Sequence, residues 1–235
     1  MAGGWRLSEH PALRGLGRSD FRAPRGKSNL YTPVMTTPIR PSDASTGTAI
    51  PSPVPFIHLK CHSAYSLLEG ALPIGKLAKL AAEKGMPALG IADTNNLFGA
   101  LEFSEKLAGA GIQPIVGVSL AIDFTGPAKG PLAQATTPPN PRRDGMLALL
   151  AMSEAGYQNL IKLASHAHLG VAEGADPHVT FADVERWAGG LIALTGGPDG
   201  PIDRALADGN AAIAGQRLDK LMGVFGDRLY VEIQR

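Results

Sequence analysis

The residues best placed to do chemistry lie in one run, Phe56-Ile57-His58-Leu59-Lys60-Cys61-His62-Ser63-Ala64-Tyr65-Ser66-Leu67-Leu68-Glu69-Gly70. If its opening is a strand, alternate positions face the same way, so Lys60 and His62 share a face. A pair of imidazoles at that spacing could grip a metal ion. An ammonium has no lone pair, and a cation beside Lys60 is repelled rather than held. Cys61 is the only cysteine of the chain. It excludes an internal disulfide framework and fits a reducing compartment. A lone thiol on a strand reads as a small core hydrophobe, ahead of a catalytic nucleophile.

Other candidates offer less. His166 and His168 are two apart near the end of a helical pattern, a spacing that puts them on different faces. Their favourable interaction with the helix dipole points to capping. His178 lies in a loop and His10 in an irregular tail, without partners nearby in sequence. Asp183 and Glu185 beside Trp187 read as a solvated helix face. Gly196-Gly197-Pro198-Asp199-Gly200 resembles a phosphate-binding glycine loop after a strand, but it lacks the Lys-Ser/Thr of a P-loop. A plain turn is the simpler reading.

The elements that must position these residues follow from periodicity. Strands are expected at Phe56–Leu59, Ala88–Ala92, Pro114–Ile122, Met146–Ala151, Leu191–Leu194 and Leu229–Ile233. Helices are expected at Ile74–Lys84, Ala100–Ala108, Glu154–Ala167, Phe181–Trp187, Ile202–Ala207 and Ala211–Phe225. Leu77, Leu80 and Ala81 form the inner stripe of the first helix, and Leu101, Phe103 and Leu107 that of the second. Pro73 suits a helix start and Gly85 a stop. A loop from Thr125 to Asp144 carries five prolines. Apolar strands alternating with helices argue for βαβ units with parallel pairing. The rhythm suggests a barrel-like α/β domain, with an open doubly wound sheet as the alternative.

Bulk composition fits a soluble globular core: 235 residues, 44% hydrophobic and 18% charged. No apolar stretch is long enough to span a membrane. A net charge of +1 gives no global reason to bind nucleic acid. The charge is uneven, however. Residues 1–55 hold seven basic and three acidic groups, a net +4, which leaves −3 for the rest. This basic tail is rich in Pro, Ser and Thr from Tyr31 to Pro55 and is expected to be disordered. It lacks the apolar core of a secretory signal. A transit peptide is a weaker alternative, and Met35 could serve as a later initiator. The chain closes on a strand pattern, Arg228 to Arg235, with no turn after it. The expectation is a fragment of something longer, the alternative being a natural edge strand.

With these residues in view, the run Phe56–Gly70 resembles the opening of the polymerase-and-histidinol-phosphatase (PHP) domain. More narrowly, it is similar to the N-terminus of the bacterial replicative DNA polymerase III alpha subunits. Further blocks agree in order: Gly85–Phe103 (GMPALGIADTNNLFGALEF), Ala110–Gly117 (AGIQPIVG), Gly156–Leu163 (GYQNLIKL), Gly190–Gly197 (GLIALTGG) and Tyr230–Arg235 (YVEIQR). The resemblance covers residues 56–235. It implies a distorted (β/α)7 TIM-like barrel of the PHP type, here incomplete at its C-terminal side with closing strands missing.

The resemblance also implies a site. Intact members hold a metal cluster through His, Asp and Glu at strand ends and hydrolyse phosphate esters with it. Carried onto this chain, the pocket comprises Lys60, His62, Glu69, Asp93, Thr94, Ser119 and Met146. The first histidine of the His-x-His strand is Lys60. The family's Thr-Asp-His-Gly-Asn block is Ala92-Asp93-Thr94-Asn95-Asn96, so its metal histidine is Thr94. Ser119 replaces a glutamate and Met146 a histidine. Of positions 60, 62, 69, 94, 119 and 146, only His62 and Glu69 keep a ligand. Tight sites use at least three protein ligands. The expectation is therefore a vestigial pocket with no catalytic residue and no cofactor, with Lys60 paired to Glu69 or Asp93.

The implied role is structural. The family is a DNA-directed DNA polymerase (nucleotidyltransferase) of DNA replication, with magnesium in the full polymerase, but these residues carry no polymerase active site. The expected partners are the rest of the polymerase, a proofreading exonuclease subunit and, through the holoenzyme, DNA. The expected location is cytoplasmic. The alternative is an active metal-dependent phosphoesterase or 3′–5′ exonuclease using zinc or manganese.

Overall fold

The computed structural model describes residues 56–124 and 144–233. The expected disordered tail and all but the last residue of the proline-rich loop lie outside the described residues.

The two-sided apolar strands form a mixed sheet. Strands β1 (Ala88–Thr94), β2 (Gln113–Asp123), β3 (Met146–Ala151), β5 (Leu191–Leu194) and β6 (Leu229–Tyr230) lie side by side in that order. A short β4 (Val179–Thr180) pairs with the end of β2. Helices α1 (Ile74–Glu83), α2 (Ala100–Gly109), α3 (Glu154–Leu169), α4 (Phe181–Trp187), α5 (Pro201–Ala207) and α6 (Ala211–Phe225) connect them.

β3 shows why its sequence is apolar throughout. Leu147 and Leu149 point into a core with Val118, Leu120 and Ile122 of β2, Leu160 and Leu163 of α3, and Leu221 and Phe225 of α6. Ala148 and Leu150 point the opposite way and pack with Leu194. Both faces are thus covered, as a continuous apolar run requires. A second cluster joins Leu89 and Ile91 of β1 to Ile74, Ala78, Phe103 and Leu107 of α1 and α2. Within these helices the expected stripes are corrected. Leu101 is exposed and Leu80 sits at the solvent margin, while Ile74 and Ala78 take the inner positions.

The expectation of parallel pairing holds for β1 with β2 and for β5 with β6, but fails at β3. β3 runs antiparallel to both β2 and β5, with Val118 opposite Leu149 and Ala193 opposite Leu149 on the other side. Apolar alternation reports which faces are buried. It does not report strand direction, which the connection decides.

Two terminal segments differ from expectation. Phe56–Leu59 is not a regular strand. It runs beside β1 through Gly90 N–H to His58 O (2.7 Å) and Ala92 N–H to Cys61 O (2.8 Å), with a single bridge at Cys61–Ile91. The last strand is two residues long rather than reaching Ile233.

Helix α4 starts on a capping box. Thr180 Oγ1 accepts from Asp183 N–H, and the Asp183 carboxylate accepts from Thr180 N–H (2.9 Å) and the Thr180 hydroxyl (2.6 Å). Asp183 is therefore a cap, which corrects its reading as a solvated face. Thr180→Ala is expected to cost about 1 kcal/mol, seen as a lower denaturant midpoint with unchanged slope.

Candidate functional site

A cavity of about 240 Å³ opens at one end of the sheet, lined by Lys60, His62, Glu69, Thr94, Ser119, Met146, Gly196, Asp199 and Arg204. Six of the seven residues expected from sequence meet there. They come from the segment beside β1, the end of β1, the middle of β2 and the start of β3.

Asn95 sets this geometry. It takes a left-handed turn (φ 55°) directly after β1, a conformation that asparagine tolerates better than most residues. Its N–H donates to Ser119 O (2.8 Å), its Oδ1 accepts from Ala121 N–H (3.2 Å), and its carbonyl meets His168 Nε2 at 2.8 Å. These bonds fix the end of β1 against β2, with Thr94 in register with Ser119. They also correct the role expected for the histidines. His168 braces Asn95, and His166 stands 3.4 Å from Asp183 with its ring edge-on to Trp187. The Gly196–Gly200 segment is the plain turn expected. It leaves β5 through left-handed Gly196 and Gly197, and Gly196 and Asp199 border the cavity.

Asp93 is the candidate that does not face the cavity. It is 2% exposed and turns beneath the loop after Cys61. One oxygen accepts from Ser63 N–H (2.6 Å) and the Ser66 hydroxyl (2.6 Å), and the other from the Ser63 hydroxyl (2.7 Å). Three donors already satisfy this buried carboxylate. It is a fastener for the loop that carries His62 and Glu69.

The pairing expected for Lys60 is also corrected. Its ammonium meets Glu232 Oε1 at 2.6 Å and donates to Gly196 O at 3.3 Å. Glu69 is occupied elsewhere: its Oε2 accepts from the Thr94 hydroxyl and lies 3.8 Å from His62 Nδ1. His62 Nδ1 also approaches Ser66 Oγ at 3.3 Å. Sequence reasoning missed Glu232 and Arg204. The alternation Tyr230-Val231-Glu232 placed an acid among apolar neighbours, which was the available signal for Glu232.

The charged groups that face the cavity are of both signs. One imidazole and the carboxylates of Glu69 and Asp199 line the cavity, beside the ammonium of Lys60 and the guanidinium of Arg204. Among the described residues, no three His, Cys, Asp or Glu side chains gather as a metal-holding group. Ser119 Oγ is buried and meets no hydrogen-bond partner among the described residues. A neutral hydroxyl is a weak substitute for a carboxylate ligand. Cys61 adds nothing, because burial raises its thiol pKa above the ordinary value and disfavours the thiolate.

Residues 58–235 match the PHP domain family. The chain belongs to this family. Over 180 residues the PHP domain is 48% identical to a protein named DNA polymerase III subunit alpha from Caulobacter vibrioides (strain NA1000 / CB15N), covering 77% of this chain and 15% of that protein. Proteins of the same name from Pseudomonas aeruginosa and Aquifex aeolicus are 36% and 34% identical over 182 and 183 residues. Those matches cover 77% and 76% of this chain and 14% and 15% of the relatives. The chain therefore spans about 15% of the length of the curated relatives it matches. Among solved structures, a protein from Bifidobacterium adolescentis described as a metal-dependent phosphoesterase is similar, at 13% identity and a TM-score of 0.41, with 74% of this chain and 85% of that chain covered. No helix among the described residues of the PHP domain is long and apolar enough to cross a membrane.

Proposed function

We propose that this chain is the N-terminal PHP region of a bacterial replicative DNA polymerase III alpha subunit whose metal pocket has decayed, and that the domain serves structure and docking. The observation that carries this reading is the pairing of Lys60, which lines the cavity, with Glu232. A fixed ammonium, 19% exposed, sits among the residues that would have to ligate a metal. A metal-activated hydroxide needs an open coordination position on a firmly held ion. The side chains around the cavity offer no such set.

On this reading the sheet belongs to a distorted (β/α)7 TIM-like barrel whose remaining strands lie in a longer polypeptide. A groove of about 680 Å³ is lined by Phe56–Lys60, Tyr230–Ile233 and the Leu150–Leu194 face. The domain then supports the body of the polymerase in the cytoplasm and holds a proofreading exonuclease subunit. DNA is met only through the assembled enzyme, whose magnesium-dependent polymerase site lies outside these residues.

The test uses the intact polypeptide that carries the domain, with its polymerase active site inactivated. In millimolar manganese or zinc it should release neither phosphate from a phosphomonoester nor nucleotides from a primer 3′ end, and it should co-purify with the exonuclease subunit. Metal-dependent release abolished by His62→Ala would instead establish the active phosphoesterase or exonuclease.

A further inference from the structure

We propose that the Lys60–Glu232 pair is an electrostatic latch joining the two margins of the sheet over the apolar groove. The proposal rests on the reading of the pocket as free of metal and goes beyond it, by giving the ammonium a task. One margin is the segment beside β1, tied to it by Cys61 N–H to Gly90 O at 3.3 Å and Ala92 N–H to Cys61 O at 2.8 Å. The other follows β6, where Glu232 N–H donates to Thr195 Oγ1 at 3.0 Å and Thr195 N–H donates to Tyr230 O at 3.0 Å. In the order of the sheet, β1, β2, β3 and β5 lie between the first segment and β6. Side chains from opposite margins meet at 2.6 Å only because the sheet curls. The groove lies inside that curl, and Phe56, Leu59, Tyr230 and Ile233 from both margins line it.

The pair is well placed to hold the curl. Its side chains are 19% and 15% exposed, so solvent screens it less than a surface pair. Lys60 also donates to Gly196 O, which adds the turn after β5 to the same junction. Neither margin has a long ladder of its own. β6 is two residues long, and the first segment makes one bridge. Margins with so few backbone bonds open locally before the core does. The Lys60 ammonium thereby acts as the pocket's resident cation, drawing a carboxylate and a carbonyl together across the gap.

Hydrogen exchange read by mass spectrometry on the intact polypeptide tests the latch. Lys60→Met and Glu232→Gln should each speed exchange about tenfold in both residues 56–62 and residues 229–233, with β2 and β3 unchanged. The double variant Lys60→Met/Glu232→Gln should be no faster than either single change, the signature of one shared interaction. Faster exchange confined to the substituted segment, or effects that multiply in the double variant, would overturn the latch. If Lys60→Met unfolds the domain, the isosteric Glu232→Gln carries the test, since it must loosen residues 56–62. Zinc and EDTA should leave the unsubstituted chain unchanged. Protection by zinc would instead overturn the metal-free reading, with coupling of the margins still read from the variants.

Discussion

Asp93→Ala should cost on the order of 3–5 kcal/mol, because it strands donors that a buried carboxylate now satisfies. Ser63 and Ser66 are buried, and both hydroxyls point at Asp93 along with the Ser63 N–H. A methyl group would leave them without a partner in a region that admits little water. Ser66 Oγ also accepts from Thr94 N–H (3.0 Å), so the loss reaches the end of β1. Asp93→Asn keeps the shape but turns an NH2 toward donors, and should cost about 2 kcal/mol. Urea unfolding followed by circular dichroism would measure both. A domain of ordinary stability has roughly 5–15 kcal/mol in hand, so the alanine variant should unfold at a much lower midpoint. A change below about 1 kcal/mol would mean that the serines find other acceptors and that Asp93 is no fastener.

The second large effect is expected at Gly90. A Cβ there would lie 2.2 Å from Leu59 O and 2.8 Å from its Cα. These are backbone atoms, which cannot swing aside as a flexible side chain can. Gly90→Ala should therefore push the segment carrying Lys60 and His62 away from β1, at about 1–3 kcal/mol or more. Gly75, inside α1, is the matched control, since a Cβ there meets nothing within 4 Å. Gly75→Ala should stabilise by up to about 1 kcal/mol through helix propensity alone. Thermal melting of the two variants should shift in opposite directions. Equal shifts would show that the close approach at Gly90 does not constrain the first segment.

Much of this domain is legible in its sequence, for identifiable reasons. The bounds of β3 and β5 follow from apolar runs, buried on both faces, that begin directly after Gly145 and Gly190. α4 and α6 were bounded correctly because caps and breakers flank them. The antiparallel course of β3 was hidden, since side-chain alternation is the same in either direction. The first segment departs from the strand that its sequence predicts. Its composition is strand-like, yet it sits at a margin of the sheet with one neighbour and a bend at Leu59.

The candidate site divides along similar lines. Lys60, His62, Glu69, Thr94, Ser119 and Met146 were found through resemblance, and the fold does gather them. The partner of Lys60 was not found, because Glu232 lies at the other end of the chain and spacing along a sequence carries no information about such a pair. Asp93 was misplaced because nothing in its own block reveals that Ser63 and Ser66 reach it first. An acidic residue directly after the apolar run Ala88–Ala92 is the available hint.

On the proposed reading, the Lys60 ammonium stands where a metal ion would otherwise be bound. Isothermal titration of zinc, and separately of manganese, into the intact polypeptide tests it most directly, with Lys60→Met and His62→Ala run in parallel to separate this pocket from any other site. The account predicts no stoichiometric heat that either substitution removes. Tight one-to-one or higher binding lost in His62→Ala would contradict it.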